Sequence, residues 1–165
     1  MIKIAFVNQN YTFPQAYKIV FEMLSALLGD QQHMICYTIS ESGSWSDHAV
    51  YATNLLQREY PDRKIEAVHV HPYETCHDIE YREQDIKSFK KYWGIPELPV
   101  INRYLVPEEI AKLERQEGFA QVHKWIIENS DCIIAAIQKP SSATKEDIEY
   151  AKQLGKTIFL MERIN

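Results

Sequence analysis

Four polar segments follow apolar runs and hold most of the side chains with chemistry to offer: Asn8–Thr12, Ser40–Ser46, His71–His77 and Lys139–Thr144. They supply Asn8, Asn10, Ser42, Gly43, Ser44, Lys139, Ser141, Ser142 and Thr144, a set of mostly neutral amides and hydroxyls with one cation. Such groups suit ribose hydroxyls and base edges as well as phosphate. Trp45, Tyr11 and Tyr73 add rings that could stack on a base; Trp45 equally suits an anchor at the start of its helix. Thr144 with Asp147 reads as a capping box at the head of a helix, where free N–H groups favour an anion. Glu146 and Asp147 suit the same helix dipole but would repel a bound phosphate.

Two further clusters have chemical potential. His69, His71, Cys76 and His77 fall within one short stretch. His69 and His71 share a strand face, and with the thiol or third imidazole they offer donors that zinc prefers. Their spacing matches no familiar zinc signature, so no metal is assigned. A Cys76–His nucleophilic pair has proximity alone in its favour. Glu74, just past a strand end, is a polar contact or base. The charged run Glu108–Glu117 reads as a solvated helix face.

The elements that must position these groups follow from periodicity. Ile2–Val7, His33–Ile39 and Lys64–Val70 read as strands, and Asp131–Gln138 and Lys156–Met161 as two more. Unbroken apolar runs separated by helices indicate parallel strands buried on both faces. Ala16, Ile19, Val20, Met23, Leu24, Leu27 and Leu28 keep helical spacing, with Gly29 as the stop. A second helix carries Ala49 to Leu56. Glu80–Tyr92 reads as a charged helix ended by Gly94 and Pro96, and Leu98–Ile101 as extended. A long helical pattern spans Pro107–Asn129, with Gly118 as a break. Lys145–Gly155 completes a terminal strand–helix–strand unit.

This alternation predicts one domain over residues 1–165: a Rossmann-like three-layer α/β/α sandwich with a mainly parallel sheet of about five strands. The polar segments would then gather at the carboxyl edge of the sheet, where open α/β folds bind ligands.

Bulk properties narrow the classes. A net charge of −5 argues against a duplex nucleic-acid binder. No apolar run approaches the length of a membrane helix, and the chain enters a strand at once with no leader pattern. Three cysteines, two of them inside apolar strands, suggest reduced thiols and a cytoplasmic setting. Cys36 and Cys132 read as small core residues. No cofactor is indicated.

Three places also resemble the SLOG superfamily of Rossmann-like domains. Ser42-Gly-Ser-Trp-Ser-Asp47 is similar to its glycine-rich loop after the second strand. His71-Pro-Tyr-Glu74 looks like its Pro-Phe motif. Ser130-Asp131 with the following strand, Pro140–Thr144 and Tyr150-Ala-Lys152 is similar to its ending. The family's second glycine loop is replaced here by Ser141, Ser142 and Ala143, whose Cβ atoms restrict close backbone approach to a phosphate. The resemblance implies a nucleotide-derived ligand of ADP-ribose type and a homo-oligomer. Two alternatives stand beside it. One is an enzyme cleaving or exchanging an N-glycosidic bond through Glu146 or Glu149. The other is a non-catalytic interaction protein with a degenerate pocket.

Overall fold

A computed structural model describes residues 1–7, 13–39, 44–73, 87–136 and 142–161. Its strands are β1 (Ile2–Val7), β2 (His33–Ile39), β3 (Lys64–Val70), β4 (Arg103–Leu105), β5 (Cys132–Ala136) and β6 (Thr157–Met161). They form one sheet in the order β4-β3-β2-β1-β5-β6, every pair parallel. The helices are α1 (Ala16–Leu28), α2 (Ser44–Glu59), α3 (Glu108–Ala111), α4 (Arg115–Glu128) and α5 (Ser142–Gln153), with a π-helical turn at Phe89–Trp93. Among the described residues no helix is long and apolar enough to cross a membrane.

Alternation along the strands builds two cores. Ile4, Phe6, Met34, Cys36, Ile65 and Ile134 point to the layer of α1 and α2. Ala5, Val7, Ile35, Val68, Ile133 and Ala135 point to the layer of α3, α4 and α5. The expected three-layer architecture is therefore present, with six parallel strands among the described residues where the sequence indicates about five. The extra strand is β4. The sequence places extended chain at Leu98–Ile101; pairing with β3 occurs at Arg103–Leu105, after Asn102 Oδ1 has accepted the Ala67 N–H at 2.7 Å.

The apolar spacing of α1 works as expected. Val20, Leu24 and Leu28 are buried, and Gly29 (φ 46°) ends the helix. Its start is unusual. Gln15 at the N-cap is left-handed (φ 63°) and makes no side-chain cap bond. A cap arrives instead from α2: the Tyr17 N–H donates to His48 Nδ1 at 3.0 Å. The Gln15 N–H donates to Trp93 O at 2.7 Å, tying this turn to the π-helical one. Gly94 is required there, because its φ is 63° and a Cβ would stand 2.7 Å from Gln15 Cγ.

The long pattern after Pro107 breaks elsewhere than expected. The interruption between α3 and α4 falls at Lys112–Glu114, and α4 runs through Gly118 without a break. Gly118 serves packing: a Cβ would lie 3.1 Å from Pro72 Cβ, so its absence lets α4 approach the chain leaving β3.

Candidate functional site

Strand order locates the crevice. The chain builds β1, β2, β3 and β4 outward on one side, then crosses to place β5 and β6 on the other. The switch lies between β1 and β5, where Val7 pairs with Ala135. At such a point the connections leave the sheet in opposite directions and a cleft opens at the carboxyl ends. The helices α4 and α5 both start at this edge, because each leads back to the amino end of the next strand.

Several expected contacts fall in the connecting segments. Asn8, Asn10, Ser42, Gly43, Glu74, Lys139 and Ser141 lie outside the described residues, as do Cys76 and His77. Of the others, Ser44 opens α2 and Ser142 opens α5 with its side chain exposed. Trp45 takes the anchoring role and not the stacking one. It is 1% exposed, with its ring edge-on to Phe6 at 5.8 Å between centroids, which leaves no face for a base. Tyr73 is engaged in a cluster at the rim. Its ring meets Phe119 at 5.7 Å, and the Arg115 guanidinium sits over it at 5.1 Å.

The capping box is corrected. Because α5 begins at Ser142, Thr144 is already inside the first turn and fully buried. Asp147 Oδ2 lies 2.7 Å from His123 Nδ1 on α4, with both residues over 90% buried. This pair is a site feature that the motifs did not single out. Its signal was present in the periodicity: Thr144, Asp147 and Ala151 form the buried stripe of α5, and His123 follows Val122 on the buried side of α4. A polar residue on each of two apolar stripes demands a partner.

The pair forms part of a cleft of about 470 Å³ between α4 and α5. Phe119, Ala120 and Lys124 line it from α4; Ala143, Glu146 and Tyr150 line it from α5. Ala143, the second residue of α5, brings the cleft up to the carboxyl edge. Glu146 and Glu149 are both exposed; Glu146 lines the cleft, whereas Glu149, one turn further along, is absent from its lining. Tyr150 is held at the far end, its hydroxyl donating to Glu128 Oε1 and the Lys124 ammonium lying 5.8 Å from its ring centre.

The two strand-end histidines are built into the structure. His69 is 7% exposed and His71 fully buried, and both rings pack on Tyr104 at 5.9 and 5.0 Å. His69 Nε2 lies 3.2 Å from Ser46 Oγ, which donates to Ile39 O at 3.1 Å. Burial, helped by neighbouring His71, pushes the His69 imidazole down to about 3, so it is neutral near pH 7. Among the described residues no group of three or more His, Cys, Asp and Glu is placed to hold a metal. The thiols of Cys36 and Cys132 are free and buried; burial raises them to about 12 and about 11. No protein-family model matches the chain, and no curated protein matches it.

Proposed function

We propose that this protein is a small-molecule binding domain for a nucleotide-derived ligand, held along the carboxyl edge at the β1/β5 switch. The observation that carries this reading is the all-parallel order β4-β3-β2-β1-β5-β6, with the head of α5 and the α4–α5 cleft beside the switch. A cleft of about 470 Å³ lies within the roughly 300–1,000 Å³ range of ligand pockets. The exposed Ser142 and the N-terminal N–H groups of α5 offer neutral donors, in keeping with the amides and hydroxyls of the adjoining segments. The resemblance to SLOG domains points to the same ligand class.

A thermal-shift and calorimetric screen over nucleoside mono- and diphosphates, ADP-ribose and cyclic dinucleotides tests the reading. At least one compound should raise the midpoint, and Ser142→Asp should weaken its binding by placing negative charge at the helix head. No response from any compound would refute it.

A second reading, cleavage or exchange of an N-glycosidic bond, draws support from Glu146 lining the cleft beside the buried His123–Asp147 pair. Such chemistry needs a carboxylate near the anomeric carbon. Release of free base from nucleotides, lost in Glu146→Gln, would support it; turnover unchanged in Glu146→Gln would remove Glu146 from the role.

A further inference from the structure

We propose that a second copy of this chain docks on the open edge of β6, strand against strand and antiparallel, so that one sheet runs through both copies. The two ends of the sheet differ in kind. β4 is three residues long, opens with the exposed Arg103 and is tied down by the Arg103–Glu66 ion pair at 3.5 Å. Short length and charge are how sheet edges avoid other chains. β6 carries neither protection. Thr157–Met161 pairs with β5 residue for residue, from Cys132↔Thr157 to Ala136↔Met161, without a bulge, and holds no proline and no charge. On its outer side the backbone groups of alternate residues have no strand to meet among the described residues. Its side chains are uncovered as well: Leu160 is 52% exposed, and Ile158 and Phe159 are half-buried. A regular, apolar, uncharged edge is a template for another strand.

The strand is complementary to itself. A two-fold axis at Phe159 sets Ile158 against Leu160 of the other copy and Thr157 against Met161, so no charge stands in the ladder and Leu160 gains an apolar partner. Charge fixes the direction. Lys156 precedes the strand, its ammonium held by the Glu128 and Ser130 carbonyls, and Glu162 follows it in the sequence. Antiparallel pairing brings the start of one strand beside the end of the other, and so sets unlike charges together at both ends; parallel pairing sets like beside like. The same two-fold turns the two carboxyl edges in opposite directions, which leaves each of them open. Both outer edges of the joined sheet are then β4, so assembly closes at two copies.

Sedimentation equilibrium of the full chain from micromolar to millimolar concentration tests this, with hydrogen exchange read at β6. The natural chain should form dimers and nothing larger, and exchange of the β6 amides should slow as dimers form. Leu160→Lys places a charge in the ladder from each copy and should weaken the dimer about tenfold or more. Val100→Lys makes the same kind of change at another exposed apolar side chain and should leave the dimer intact. Circular dichroism confirms that each variant is folded, and Leu160→Thr takes the place of the lysine variant should that one unfold. A chain that stays monomeric overturns the proposal, even if a foreign strand then protects β6, and so does one that polymerises without limit. A dimer that the Leu160 variants leave unchanged, or that Leu160→Lys and Val100→Lys weaken alike, overturns it too. The nucleotide-binding reading stands or falls separately from all of these outcomes.

Discussion

Replacing His48 by asparagine should flatten the acid dependence of stability. His48 is fully buried between α1 and α2, stacked on Tyr17 and edge-on to Trp93. Its Nδ1 accepts the Tyr17 N–H, so the proton sits on Nε2, which has no hydrogen-bond partner among the described residues. Burial lowers its pKa from 6.5 to about 3. The sign follows from linkage. Between those two values the unfolded chain binds a proton at this residue and the folded chain does not. Stability is therefore complete above about pH 6.5 and is lost progressively as pH falls towards 3. Each unit of separation is worth about 1.4 kcal/mol, so at pH 4.5 this one imidazole removes about 3 kcal/mol. Asparagine can keep an acceptor near the Nδ1 position but does not titrate. Loss of ring packing lowers the baseline of the variant at every pH, and His69, also lowered to about 3, contributes equally to both proteins and cancels. Urea unfolding from pH 8 to 4.5 provides the comparison. The natural chain should lose about 3 kcal/mol more than His48→Asn across that range. Parallel pH profiles would refute the assignment of a buried, neutral, capping imidazole.

Three further outcomes are expected. Gly94→Ala should destabilise by about 1–3 kcal/mol in urea unfolding, since it places a Cβ at positive φ and 2.7 Å from Gln15 Cγ. Asp147→Ala removes the buried hydrogen-bond partner of His123 Nδ1 and should cost about 1–3 kcal/mol by the same measurement; a loss below about 0.5 kcal/mol would show that the pair is not formed. Thiol labelling at pH 8 followed by mass mapping should leave Cys36 and Cys132 unmodified in the folded protein and modify both in denaturant, because burial raises both thiols and hides them.

The parts of this fold that the sequence states most clearly are those with a repeating physical demand. The apolar runs of β1, β2, β3 and β5 could only be strands covered on both faces, and the spacing of Val20, Leu24 and Leu28 could only be one buried helical stripe. Strand β4 escaped because three residues headed by an arginine carry too little apolar signal; its identity comes from pairing with β3. The break between α3 and α4 was displaced from Gly118 because glycine there answers to Pro72, a neighbour that no local pattern reveals. Trp45 shows the limit for aromatic residues at helix heads: type and position allowed stacking or anchoring, and only the proximity of Phe6 decides. The His123–Asp147 pair lies between. Each residue's place on a buried stripe is legible alone, but their meeting depends on how α4 packs against α5.

The most direct test of the carboxyl-edge account is an amide-resolved NMR titration of the full chain with adenosine monophosphate. The account predicts shifts concentrated at Val7, at Phe119–Lys124, at Ala136 and at Ser142–Tyr150. Shifts confined to the opposite edge, around Met1, Asn129 and Lys156, or none at millimolar ligand, would contradict it.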